Sequence, residues 1–310
     1  MGADQQVTAS SPDSSAIPDV SVVMPVYDMP LPLVRKALKS VRRQDHYGPI
    51  EVVLWDDGSR EPSVRAAYAA IAGSFAAAAA PIGERTIVTD GTRERRGIAL
   101  ARNDAVCRTR AEWLIWLDGD DELPPDAIRR LLASVRGSGN AYAIGQCRVV
   151  YPGGASQVHR NDKYLAGWLR HRGSTADPLA QVVFNTHGGI VHRDLFDRTG
   201  GFDPWFSHAE LVDWFRRLFR ALPRPDAFDV LNAVTYVCRK RRDSHSSDRA
   251  RVEPQRIVAL QRYARVAGVP PADLDAPMVN VETGCPEYKR IELDRGSAGR
   301  QLVDLEPARP

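Results

Sequence analysis

Four acidic side chains occupy five consecutive positions at Asp118-Gly119-Asp120-Asp121-Glu122, directly after the apolar run Trp113 to Leu117. Crowded carboxylates repel one another, so their ionised forms call for a compensating cation. Hard oxygen ligands suit Mn²⁺ or Mg²⁺, which commonly bind through one or two carboxylates and the phosphates of a substrate. One aspartate would suffice to cap the helix that Pro124-Pro125 opens, and four exceed that need. The spacing points to a metal-dependent site that handles a phosphate-bearing ligand.

Other chemistry-bearing residues recur in the same kind of place. Asp56-Asp57 closes the apolar run Ile50 to Trp55 and leads into Gly58-Ser59, a sequence that also suits a plain turn. Tyr27-Asp28 follows Ser21 to Pro25. Arg93, Arg95 and Arg96 precede a segment holding Arg102 and Asn103, and guanidinium groups pair well with diphosphate. Farther along, Glu210 and Asp213 stand three residues apart on one helical face. Either carboxylate suits the role of a base that takes a proton from a hydroxyl. His187 and His192 flank a Gly-Gly pair, and His245 lies in a polar loop after the basic run Arg239 to Arg242.

The elements needed to position these groups are legible as alternating strands and helices. Strands are expected at Ser21–Pro25, Ile50–Trp55, Thr86–Val88 and Trp113–Leu117, and later at Tyr142–Tyr151, Asn185–His192 and Val230–Cys238. Helical periodicity or composition marks Leu31–Arg43, Ser63–Ala80, Ile98–Arg108, Arg193–Thr199, Ala209–Leu222 and Arg256–Val266. This alternation predicts βαβ units and a mainly parallel sheet. Such sheets bind ligands at the carboxyl ends of their strands, which is where the acidic residues fall. Residues 1–17 read as a disordered tail, and residues 251–310 as a helix followed by an extended arm.

Composition narrows the class. The 310 residues carry 42 basic and 39 acidic side chains, a net charge of +3 that gives no case for a nucleic-acid binder. No apolar run approaches the roughly 20 residues that span a bilayer, and the polar start lacks a signal-peptide pattern. The four cysteines are scattered without a CxxC pair and read as reduced thiols. A cytoplasmic location is expected.

Five segments, taken in order, resemble the signatures of the family 2 glycosyltransferases: Ser21 to Asp28 (SVVMPVYD), Ser40 to Gln44 (SVRRQ), Val53 to Ser59 (VLWDDGS), Gly97 to Ala105 (GIALARNDA) and Leu117 to Asp126 (LDGDDELPPD). A sixth, Thr199 to Asp203 (TGGFD), resembles the family's element ahead of its acceptor-side acid. The resemblance implies a GT-A fold: a Rossmann-like mixed sheet flanked by helices, with a C-terminal extension. Residues 18–135 would form the nucleotide-sugar half and 136–250 the acceptor half.

The resemblance also implies roles. Pro25, Val26 and Tyr27 would line the nucleobase pocket, with Asp57 or Asp56 bonding a uracil or thymine. Arg96 matches the phosphate-side position, and Asp118 would face the sugar or ribose. Asp120 and Asp121 would hold the metal, joined by His245. Glu210 matches the base, although Leu211 replaces the second acid of the family's pair, and Asp213 is the reserve. The implied activity is inverting, metal-dependent transfer from a UDP- or dTDP-sugar to a carbohydrate, natural-product or lipid-linked acceptor, in a possible homodimer. Two rivals remain at this point: a nucleotidyltransferase acting on sugar phosphates, disfavoured because SVVMPVYDMP lacks glycine, and a non-catalytic nucleotide-sugar binding module.

Overall fold

The computed structural model describes residues 17–78, 80, 82–162, 187–223 and 227–241, together with Gln255, Ala259 and the pairs 278–279 and 286–287. The tail expected over 1–17 lies outside these residues except for Ile17, as does the helix expected over Arg256–Val266 except for Ala259.

The first half is a right-to-left succession of βα units: β1 (Val20–Val26), α1 (Leu31–Arg42), β2 (Ile50–Asp57), α2 (Pro62–Ala77), β3 (Arg85–Thr92), α3 (Ile98–Val106), β4 (Trp113–Trp116) and α4 (Ala127–Ser138). The second half adds β5 (Tyr142–Val150), β6 (Ser156–His159), β7 (Gly189–His192), α5 (Arg193–Thr199), α6 (Glu210–Ala221) and β8 (Asp229–Arg239). The eight strands form one sheet ordered β3-β2-β1-β4-β7-β5-β6, with β8 paired to β5. Neighbours among β1 to β4 run parallel, as does β8 with β5. β7 runs antiparallel between β4 and β5, so the parallel βα units of the first half continue into a mixed sheet, as the resemblance implies.

Burial explains the near-continuous apolar strands. Every residue of β1 and β2 is buried, because helices cover both faces. Side chains alternate between two cores. Val22, Met24 and Val26 join α1, α2 and α4 on one side. Val23, Val53 and Trp55 join α3, α5 and α6 on the other. A fully buried valine of this kind contributes about 1.5–3 kcal/mol relative to an exposed one.

Two differences from expectation bear on the site. β2 runs on through Asp56 and Asp57, which were expected in a turn, because β3 continues to pair with them out to Thr92. β6 was not foreseen; three of its four residues are exposed, so it carries no apolar alternation. Among the described residues no helix is long and apolar enough to cross a membrane.

Candidate active site

The carboxyl ends of β1, β2 and β4 open onto a cavity of about 660 Å³, closed on its far side by the start of α6 and the end of β8. Pro25, Val26 and Tyr27 arrive from β1 and the residue after it, and Asp57 from β2. The parallel register puts Val26 beside Asp56 and Val23 beside Trp116, so three loop starts converge.

The loop after β4 supplies Asp118, Asp120 and Asp121, all lining the cavity. The backbone folds it tightly: the Asp121 amide donates to the Asp118 carbonyl at 3.0 Å. Gly119 fits because a Cβ there would come within 2.9 Å of Val26. Asp118 is fixed most firmly. Arg102 Nη2 donates to its Oδ1 at 2.7 Å, His187 Nε2 lies 3.5 Å from its Oδ2, and its amide donates to the Tyr236 hydroxyl at 3.1 Å.

The three carboxylates have separate electrostatics. Burial pushes the Asp118 carboxyl up, but Arg102 and His187 outweigh it and hold the group below the usual range. Asp120 is raised by burial and by Asp118, against the attraction of Arg241, whose Nε lies 3.2 Å from Oδ2. Asp121 is raised to about 7 by burial, then by the charges of Asp118 and Asp120, even though its Oδ1 accepts the Arg239 amide at 2.7 Å. His187 is pulled down by burial, yet the Asp118 carboxylate carries it above the ordinary histidine value. Negative charge therefore exceeds what the nearby cations neutralise. Glu122 stands apart, paired with Lys36 and Arg239.

These donors fit a hard divalent cation. Asp121 is buried, repelled and partly protonated near neutrality, and a dication would relieve that repulsion. Among the described residues no three His, Cys, Asp or Glu side chains form a ready-made ligand set. Mg²⁺ and Mn²⁺ suit such an open arrangement, because substrate phosphates and water complete their coordination. His245, expected as a third ligand, lies outside the described residues.

The second acidic pair behaves differently. Asp56 accepts the Ser59 amide at 3.0 Å and the Ser59 hydroxyl at 2.6 Å through Oδ1, and does not line the cavity. Asp57 does line it, but its Oδ1 accepts the Arg96 amide at 2.8 Å and its Oδ2 the Gly97 amide at 2.9 Å. It thereby ties β2 to the start of α3. Burial raises the Asp57 carboxyl despite those two amides.

The arginines sort differently from expectation. Arg96, expected beside the phosphates, turns its Nη1 to Asp104 Oδ2 at 2.7 Å and stays off the cavity wall. Arg95, its exposed neighbour, lines the cavity with its guanidinium carbon 4.2 Å from the Tyr27 ring centroid. Arg239, Lys240 and Arg241 also line the cavity from the end of β8.

Glu210 begins α6 and lines the cavity, 7% exposed; its Oε1 accepts a short hydrogen bond from Arg102 Nη1. Asp213 is completely buried and paired with Arg217, whose Nε and Nη2 reach Oδ2 at 2.9 and 2.8 Å. Asp213 is absent from the cavity wall. Leu211, in place of an acid, packs into the core on the α3 face of the sheet.

The turn before Glu210 is shaped by Ala209, whose φ of 61° is left-handed. It is held from outside the sheet: Gln255 Oε1 accepts the His208 amide at 2.7 Å, and Gln255 Nε2 donates to Ser207 Oγ at 2.8 Å. Of the residues that the sequence singles out for the site, Pro25, Val26, Tyr27, Asp57, Asp118, Asp120, Asp121 and Glu210 line the cavity, and Asp56, Arg96 and Asp213 do not. The partners of Arg102 lie 16 and 108 positions away, and no local pattern signals them.

Residues 21–200 match the family model described as glycosyl transferase family 2, and the chain belongs to that family. The glycosyltransferase AglE of Haloferax volcanii is 25% identical over 205 residues, which cover 66% of this chain and 62% of the relative. The succinoglycan biosynthesis protein ExoO of Rhizobium meliloti is 30% identical over 145 residues, 47% of this chain and 38% of that one. The chain spans less than two-thirds of the length of these curated relatives. Among solved structures, S. aureus TarS 1–349 in complex with UDP-GlcNAc superposes with a TM-score of 0.59 at 18% identity, covering 82% of this chain and 69% of that one. The mannosyltransferase PcManGT of Pyrobaculum calidifontis, in complex with GDP-Man and Mn²⁺, gives 0.55 at 20% identity, covering 87% and 71%. The fold is the GT-A fold of these glycosyltransferases.

Proposed function

We propose that this chain transfers a sugar from a nucleoside-diphosphate donor to an acceptor hydroxyl by one inverting displacement, with a divalent cation at the aspartate loop. The observation that carries this reading is that Asp118, Asp120, Asp121 and Glu210 all line a single cavity. Neither the aspartates nor the glutamate alone specifies transfer. Together they offer a place for a diphosphate leaving group and a base for the attacking hydroxyl.

Tyr27, Pro25 and Val26 take the nucleobase, with Asp57 beside it to accept an N–H of uracil or thymine. Asp118 receives a hydroxyl of the ribose or sugar. Asp120 and Asp121 would hold a divalent cation, and its charge would stabilise a diphosphate leaving group. Glu210 takes the acceptor proton as the acceptor oxygen bonds to the anomeric carbon. The bond from that carbon to the diphosphate oxygen breaks, and its electron pair leaves with the nucleoside diphosphate. Asp213, tied to Arg217, stays structural.

Incubation with a panel of nucleotide-sugars and Mn²⁺ tests the reading through release of nucleoside diphosphate. Pyrophosphate release from a nucleoside triphosphate supplied with a sugar phosphate would indicate a nucleotidyltransferase, and donor binding without turnover a binding module. The base assignment is tested separately. Glu210→Gln is expected to lower kcat by about 10²–10⁴, the usual contribution of general acid–base catalysis, with donor affinity retained. Full activity in Glu210→Gln would rule it out.

A further inference from the structure

Arg102 lies in α3, outside every loop that carries a reacting group, yet it touches both the aspartate loop and the proposed base. Its Nη2 donates to Asp118 at 2.7 Å and its Nη1 to Glu210. The side chain is 2% exposed, and its guanidinium carbon stands 5.4 Å from the Phe202 ring centroid. Its Nε is buried with no hydrogen-bond partner, so local packing does not use the group to the full. A buried guanidinium is retained when both its charge and its fork are engaged, since desolvating it is expensive.

We infer that Arg102 is the positioning residue that couples the aspartate loop to the base: it aims the Glu210 carboxylate while fixing Asp118 in the same act. This rests on Glu210 being the base. The fork geometry matters because Asp118 and Glu210 come from elements 92 positions apart in sequence, as read from their numbers. Only a planar group with two separate arms satisfies both at once. A carboxylate has two oxygens, so Arg102 can hold Oε1 while the other takes the acceptor proton. The adjacent Asn103 anchors the same helix to the acceptor side, donating to the Phe202 carbonyl and accepting the Phe202 amide, both at 2.8 Å. α3 is thus pinned at two successive residues to the elements that carry the base.

The test compares Arg102→Gln, Arg102→Lys and the double variant Arg102→Gln/Glu210→Gln in the full chain, at saturating Mn²⁺ and donor, by kcat, with thermal melting of each. In Arg102→Gln and Arg102→Lys kcat should fall about tenfold or more, because neither an amide nor a point charge can hold both carboxylates. The double variant should be no slower than Glu210→Gln alone, because Arg102 acts through the base. If Arg102→Gln does not fold, Arg102→Lys and its double with Glu210→Gln decide the matter. Wild-type kcat in a folded Arg102 variant overturns the inference, and so does a double variant in which the two losses simply add. An active Glu210→Gln instead removes the base assignment beneath it.

Discussion

Asp56-Asp57 closes β2 and Asp118-Gly119-Asp120-Asp121 follows β4, two parallel strands of one sheet with β1 between them, and the sequence offers both as acidic strand ends. Their surroundings differ. The first pair meets as many local donors as it has need for: Ser59 satisfies Asp56, and two backbone amides satisfy Asp57. The second meets too few, and its carboxyls compete, one forced down by Arg102 and another forced up to about 7. Acids whose charge is settled by nearby N–H groups build a fold, and acids left in mutual repulsion await a ligand.

The sharpest way to break this contrast is to remove the repelled acids. Asp120→Ala should abolish metal-dependent transfer, a fall of about 10³ or more in kcat, given that positioned charge contributes several kcal/mol to such steps. The melting temperature should hold, because a crowded charge is lost rather than a satisfied one. Full activity in Asp120→Ala would end the metal scheme. Asp121→Asn should likewise lose Mn²⁺ binding, followed by electron paramagnetic resonance, while its amide oxygen still accepts the Arg239 N–H.

A smaller effect comes from pH. Asp121 has a raised folded value, so it carries a proton below about 7 and loses it as pH climbs through that value. Ligand carboxylates must be ionised to bind metal. Mn²⁺ affinity should therefore strengthen with rising pH and level off above about 7, as isothermal titration would show. The same raised value means that folding is favoured at low pH by this group, and that its favourable contribution fades between the unfolded value of 3.8 and about 7. An affinity independent of pH would show that Asp121 is not a ligand.

The smallest effects belong to the satisfied pair. Asp56→Ala should lower stability by about 1 kcal/mol through loss of the Ser59 hydrogen bonds, with kcat near the wild type. Asp57→Asn leaves one of the Arg96 and Gly97 amides without its acceptor, a loss of about 1–3 kcal/mol in denaturant unfolding. Its donor affinity decides how far the two loops differ. A weakened donor Kd at unchanged kcat would give Asp57 a share in binding the base besides its tie to α3.

What the sequence made legible follows from how local each cause is. Strand and helix positions in the first half rest on short-range periodicity and were read within a few residues. The extension of β2 over Asp56 and Asp57 depends on pairing with β3, a partner that short-range pattern does not reveal. β6 lacks apolar alternation because little covers it. At the site, acids crowded in sequence were read as crowded in space. The exchange of roles between Arg95 and Arg96 was hidden, because it turns on which of two adjacent side chains meets Asp104. Asp213 read as well as Glu210 until the buried Arg217 claimed it.

The clamp formed by Gln255 on Ser207 and His208 extends the reach of the catalytic wall beyond the sheet. Those two bonds steady the turn at Ala209 from which Glu210 emerges. A version of the protein trimmed after β8 would keep its nucleotide-facing strands and their core, yet release the acid on the other side. Nucleotide binding would survive such trimming better than turnover. For anyone shortening this chain to crystallise it or to graft its domain elsewhere, the functional boundary lies past residue 255, well after the last strand of the sheet.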